Sequence, residues 1–167
     1  GVLLIKKVTS KPLLTGQILV KIFFSGVCRS QLMEVRGLRG KDSWLPHLLG
    51  HEASGVVVDV GPEVTKVKKG DDVILTWIKG EGLEAEGAKY KCNNQDINSG
   101  KVSTFSNYSV VSENRLVLKP KSLSFDTAVL FGCALPTGTG IITNTIQPKP
   151  ESKIAIFGMG GIGLSAL

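Results

Sequence analysis

His51, in the run Leu48-Leu49-Gly50-His51-Glu52, gains chemical meaning when it is read with Cys28 and Cys133. Thiolate and imidazole are borderline-soft ligands that suit Zn²⁺. Three such residues leave a fourth tetrahedral position for water or substrate, the mark of a catalytic rather than a structural zinc. A second signal lies in Gly158-Met159-Gly160-Gly161-Ile162-Gly163, which follows the apolar residues 154–157. It fits G-x-G-x-x-G where a strand opens into a helix, the setting of a dinucleotide pyrophosphate loop. A catalytic zinc beside such a loop points to hydride transfer to or from an alcohol.

Each ligand residue also has a plainer reading. Cys28 follows Phe23-Phe24-Ser25-Gly26-Val27, and Cys133 lies in Phe131-Gly132-Cys133-Ala134-Leu135, so both fit buried apolar thiols. His51 fits a core histidine. His47 and His51 have i, i+4 spacing, but Pro46 and Gly50 argue against a helix. In an extended strand the two would stand about 13 Å apart. His47 therefore reads as a surface residue or one behind the ligand shell. Cys92, among Lys89, Lys91 and two asparagines, reads as an exposed free thiol.

The elements that must position these residues are mostly strands. Apolar, β-branched runs at 2–8, 17–24, 53–60, 72–77, 108–111 and 116–118 are separated by Gly, Pro, Asp and Ser. Many short strands with regular turns predict a barrel or sandwich. Helices are predicted at 30–36, with Ser30 as N-cap, and at 124–131, with Ser124 as N-cap and Asp126 in the first turn. Residues 79–101 are polar and Gly-rich and read as a long loop of weak structure. Pro148-Lys149-Pro150 reads as a linker before a strand at 154–157.

Composition bounds the function. The chain has 167 residues, 42% hydrophobic and 20% charged, which is globular and enough for a real core. No apolar run approaches the roughly 18 residues of a membrane span. Lys6-Lys7 interrupts the apolar start, unlike a signal peptide. Three cysteines without C-x-x-C spacing form no disulfide framework and fit a reduced, cytoplasmic setting. The net charge of +6 is scattered rather than interleaved with aromatics, so neither nucleic acid nor membrane is expected as a partner. The first residue is Gly, which fits processing or a missing start. The chain ends four residues after Gly163, short of a whole βαβ nucleotide unit. The expected organisation is a domain over 1–147 and the start of a second over 148–167. Alone, this chain is expected to be inactive.

Several segments together resemble the zinc-dependent medium-chain alcohol dehydrogenases. They are Gly26-Val27-Cys28-Arg29-Ser30, then Pro46 through Gly55, Val60-Gly61 through Val73, and Cys133 followed by Thr137-Gly138. The glycine loop completes the series in the family's order. The resemblance implies a GroES-like β-barrel followed by a Rossmann domain, and interconversion of a small alcohol and an aldehyde or ketone with NAD or NADP. It implies one zinc held by Cys28, His51 and Cys133, with Glu52 beside the metal and Ser30 taking the substrate's proton. Arg29, Thr137, Gly158, Gly160, Gly161 and Gly163 would serve the cofactor. Trp77 would line the substrate pocket, and the whole protein would be a homo-oligomer. A non-catalytic GroES-like module and a zinc-free quinone or enone reductase are the rival readings.

The chain departs from the family at three places. Gln31 stands where relatives often have an Asp that holds the ligand imidazole, and its amide oxygen is expected to accept the same hydrogen bond. Leu32 and Met33 replace a histidine that continues the proton relay. Only Cys92 remains in the loop where many relatives bind a second, structural zinc through four cysteines.

Overall fold

The computed structural model describes residues 3–167. Its centre is an antiparallel sheet of five strands in the order β7-β2-β3-β4-β8, curled into half a barrel. The strands are β2 (Gln17–Ser25), β3 (Ala53–Val60), β4 (Asp72–Leu75), β7 (Tyr108–Ser112) and β8 (Leu116–Leu118). Alternation decides which side chains face inward. Ile18 and Val20 from β2, Val73 and Leu75 from β4, and Val111, Leu116 and Val57 form the main core, each at most 1% exposed. Register shifts after Leu19 and between Ile22 and Phe24 bend β2 so that its end, and Cys28 after it, turn off the barrel.

A smaller sheet joins β1 (Thr9–Ser10), β5 (Tyr90–Cys92) and β6 (Gln95–Ile97). It corrects the expectation of weak structure across 79–101. Asn93 at φ 54° and Asn94 form the two-residue turn that closes β5 on β6. Asn tolerates this left-handed backbone, which matches the strand twist. Glu113 anchors the same loop, its carboxylate accepting the backbone N–H groups of Thr65 (2.8 Å), Lys66 (2.8 Å) and Leu83 (2.7 Å). The Tyr90 hydroxyl accepts the Val110 N–H at 2.9 Å and ties the small sheet to the large one.

The expected strand at 2–8 is not formed over its described residues, and Val2 lies outside them. Leu3, Leu4 and Ile5 are exposed because no sheet edge lies alongside them. The ladder begins instead at Thr9, which pairs with Lys91. The strand at 72–77 stops at Leu75, since Thr76 turns its hydroxyl to the Gly132 carbonyl (2.7 Å).

The first helix, α1 (Arg29–Val35), starts one residue earlier than predicted. Cys28, not Ser30, is its N-cap, because the Gln31 side chain accepts the Cys28 backbone N–H (2.9 Å). Ser124 holds the expected N-cap position of α2 (Phe125–Ala128), but its hydroxyl turns to the side chains of Asp126 and Thr127. That helix tightens into a 3₁₀ turn, Val129–Gly132, and Cys133 then caps α3 (Ala134–Gly140). Helix α3 and the π turn Ile141–Ile146 after it went unforeseen.

Residues 154–157 form no ladder, correcting the predicted strand, and Phe157 is 97% exposed. The helix expected after them does form as α4 (Gly161–Ser165). It packs on α3 at Gly138, where a Cβ would stand 2.3 Å from the Ile162 carbonyl oxygen. Among the described residues no single helix is long and apolar enough to cross a membrane. One bent pair, Phe125–Gly132 with Ala134–Ile146, passes by combined length and composition.

Candidate metal centre

Three chain turns deliver the three expected ligands to one place. Cys28 comes from the end of β2, His51 from the entry to β3, and Cys133 from the junction before α3. One ligand atom from each lies within 4.8 Å of the other two. Around a tetrahedral zinc such atoms would stand roughly 3.5–3.8 Å apart, so a small contraction closes the set.

Glu52 and its neighbours fix this convergence. The Glu52 carbonyl accepts Gly26 N–H (3.2 Å), Ser25 Oγ (3.0 Å) and Thr104 Oγ1 (3.1 Å), binding the Cys28 and His51 turns together. Glycine is required at Gly132, where a Cβ would lie 2.6 Å from Glu52 Cβ and 2.5 Å from the Leu75 carbonyl oxygen. Contact this close brings Cys133 over the sheet. Nothing in the residue pattern marked Thr104 for this part, since a lone threonine in a polar loop carries no signal.

The electrostatics of the cluster call for a cation. His51 Nε2 is buried with no hydrogen-bond partner, while Nδ1 meets Gln31 Nε2 at 2.5 Å. Burial lowers the His51 pKa, against a smaller opposing pull from Glu34, and so favours the neutral ring. The Cys133 thiol is pushed up to about 11 by burial first, then by Cys28 and by the Glu52 carboxylate. The Trp77 indole N–H reaches the Cys133 sulfur and opposes that rise. Burial raises Glu52 as well. A bound cation inverts this balance and deprotonates coordinating thiols. An orphan imidazole nitrogen and two thiols gathered within 4.8 Å are therefore a donor set that fits zinc, with sulfur and nitrogen ligands and an open fourth position.

The other expected residues fall as follows. Ser30 is half-buried in the first turn of α1, and Arg29 is exposed at its first position. Trp77 is 48% exposed and lies beside Cys133. Thr137 sits one turn after Cys133, its backbone N–H on the Cys133 carbonyl (3.1 Å) and its buried hydroxyl without a partner. In the glycine loop Gly158 has φ +98°, and a Cβ on Gly163 would stand 1.9 Å from the Gly158 carbonyl oxygen. A Cβ on Gly160 would meet nothing within 4 Å, so the loop has open space beside it. This backbone fits a pyrophosphate-binding turn.

Three readings need correction. Gln31 does approach His51, but with its amide nitrogen rather than its oxygen, since the oxygen is taken by the Cys28 N–H. His47 is not a surface residue and does not stand behind the Cys28, His51 and Cys133 set. Its side chain is 7% exposed and forms a second group with Glu34 and Asp42. Cys92 is half-buried at the end of β5 rather than exposed.

Known proteins share this fold. S-(hydroxymethyl)glutathione dehydrogenase of Escherichia coli is 32% identical over 177 aligned residues, which take in 91% of this chain and 48% of that protein. A Synechocystis protein of the same name is equally similar. Benzyl alcohol dehydrogenase from Acinetobacter calcoaceticus superposes with a TM-score of 0.79 at 28% identity, over 96% of this chain and 49% of that one. A zinc-binding alcohol dehydrogenase protein from Burkholderia ambifaria shares the fold, with a TM-score of 0.81 at 24% identity and coverage of 96% and 50%. The chain spans about half the length of the curated relatives it matches. Residues 15–121 match the alcohol dehydrogenase GroES-like domain, a stretch that holds Cys28, His51 and the whole curled sheet. This chain is a member of the alcohol dehydrogenase GroES-like domain family.

Proposed function

We propose that the protein is a zinc-dependent oxidoreductase that interconverts a small alcohol and its aldehyde or ketone, with NAD or NADP as hydride partner. The observation that carries this is the buried, unpartnered His51 Nε2 in a set where one ligand atom each from Cys28, His51 and Cys133 lies within 4.8 Å of the other two. The printed names of the relatives, dehydrogenases of S-(hydroxymethyl)glutathione and of benzyl alcohol, support the reaction class. In this reading residues 1–147 form the catalytic domain and 148–167 begin the nucleotide-binding domain. The working protein is a cytoplasmic homo-oligomer with neither nucleic acid nor membrane as partner.

When bound, zinc supplies Lewis acidity at the substrate oxygen, and the nicotinamide supplies the hydride site. Cys28, His51 and Cys133 hold the metal. Two thiolates and a neutral imidazole leave the site near electroneutrality, so negative charge growing on the substrate oxygen is not repelled. Ser30 Oγ takes the alcohol proton and passes it outward, since a hydroxyl both donates and accepts. Leu32 and Met33 cannot continue that path, so the proton leaves through water or the cofactor ribose. Glu52, whose pKa burial raises, would be the carboxyl group beside a bound metal. Arg29, Thr137 and the loop glycines Gly158, Gly160, Gly161 and Gly163 bind the cofactor. The Trp77 ring walls the pocket and keeps water from the reacting carbon.

Elemental analysis of gently purified protein tests this reading. One zinc per chain is expected. A protein that takes up no zinc at any concentration belongs instead with the non-catalytic modules or the zinc-free reductases.

A further inference from the structure

Gln31 lies between two groups that both present hydrogen to it once a metal is bound. Its Oε1 accepts the Cys28 backbone N–H at 2.9 Å, and its Nε2 sits 2.5 Å from His51 Nδ1. The first contact fixes the amide, because a backbone N–H can only donate and must face the oxygen. The amide NH₂ therefore points at His51 Nδ1, which must accept. A neutral imidazole carries one proton, and that proton is then on Nε2. With Nδ1 engaged by Gln31, the buried and unpartnered Nε2 is the nitrogen left to join Cys28 and Cys133 around a metal. It can ligate a metal only through a lone pair, with the proton moved to Nδ1.

We propose that Gln31 is a positioning residue that opposes metal loading by holding His51 in the tautomer that cannot ligate. Moving the proton to Nδ1 sets that N–H against the Gln31 NH₂. Rotating the amide to relieve the clash sets the NH₂ against the Cys28 N–H. Either way the metal-bound state keeps one donor facing another donor, at the N-cap of α1 or at the ligand ring. A carboxylate of the same length has two acceptor oxygens and meets no such conflict. The inference rests on the zinc reading of the site, and it makes that zinc comparatively exchangeable.

Two measurements test it. The chain has two histidines, so ¹H–¹⁵N long-range correlation spectra of the metal-free protein resolve both rings, with His47→Gln assigning them. At about pH 8, well above the usual imidazole pKa, His51 is expected as the Nε2–H tautomer, switching to Nδ1–H on adding zinc. Metal-free His51 already in the Nδ1–H form would overturn the inference without touching the zinc site. Zinc affinity is then read by competition with a chromophoric chelator. Gln31→Glu is expected to bind roughly 10- to 100-fold more tightly, the usual range for partners of ligand histidines. Gln31→Met adds no charge and removes the opposing donor, and it is expected to bind at least as tightly as the parent. Weaker binding by both variants would make Gln31 a supporting partner and overturn the inference. If no version takes zinc, the zinc reading itself falls.

Discussion

Two clusters in this molecule each gather a histidine and two other potential ligands, yet they differ in what they lack. Around Cys28, His51 and Cys133 the histidine has an unpartnered nitrogen, and burial above all pushes the Cys133 thiol toward its protonated form. Around Glu34, Asp42 and His47 every demand is already met. His47 Nδ1 donates to the Leu48 carbonyl (2.9 Å), and Nε2 lies 2.8 Å from Asp42 and 3.1 Å from Glu34. Burial alone would lower the His47 pKa, but the Leu48 carbonyl, Asp42 and Glu34 together raise it. The Trp44 ring packs beside it at 5.6 Å between centroids. The second cluster is a histidine with its carbonyl and carboxylate partners already in place, complete in itself. The first is complete only with a cation. Proximity of ligand-type atoms thus says less than whether the charges and hydrogen bonds among them already close.

The largest effect separating the two clusters is expected for Cys133→Ser. Zinc content should fall from about one per chain to near none, since an alcohol oxygen is a poor substitute for thiolate. His47→Gln should leave zinc content unchanged, and a loss there would erase the distinction. In the protein with its nucleotide-binding domain whole, Ser30→Ala should lower turnover roughly 10²- to 10⁴-fold with zinc retained. An unchanged rate would leave Ser30 a plain residue of the first turn of α1.

The second cluster should show itself in stability. His47 has a raised folded pKa, so its contribution is full below the unfolded value near 6.5 and fades as pH rises through the folded one. Asp42 is lowered, first by the Trp44 backbone N–H and then by His47. Its contribution is present above about 3.9 and is lost as pH falls through the folded value. Urea titration of His47→Gln should therefore show a loss of stability between roughly pH 4 and 6.5 that shrinks at higher pH. A loss that grows with pH would contradict a raised His47 pKa. The smallest effect is Arg39→Ala. Its 3.7 Å bridge to Glu34 is exposed, and under about 0.5 kcal/mol is expected by the same titration.

Strands β3 and β8 and most of β2 were legible because their apolar alternation and bounding turns agree. The ligand set was legible only as a family pattern, since any one of Cys28, His51 and Cys133 also fits a core position. What escaped reading depends on long-range pairing. The Asn93-Asn94 turn between Tyr90-Lys91-Cys92 and Gln95-Asp96-Ile97 was a hairpin signal in view, but Gly and charge around it suggested a loose loop. The cluster of Glu34, Asp42 and His47 joins the end of α1 to a turn and a bridge at Asn98, a closure that no local periodicity encodes. Residues 154–157 carry a strand's composition without a neighbouring strand to pair with. Gln31 was recognised by position, yet its orientation follows from the Cys28 N–H, which only the folded backbone brings within reach.

Zinc-edge X-ray absorption on protein titrated with zinc tests the central contrast most directly. The account predicts saturation at one zinc per chain, with two sulfur ligands and one imidazole nitrogen, and loss of one sulfur shell in any zinc that Cys133→Ser retains. A second equivalent of zinc, or a spectrum of oxygen and nitrogen ligands without sulfur, would place metal at Glu34, Asp42 and His47 and contradict it.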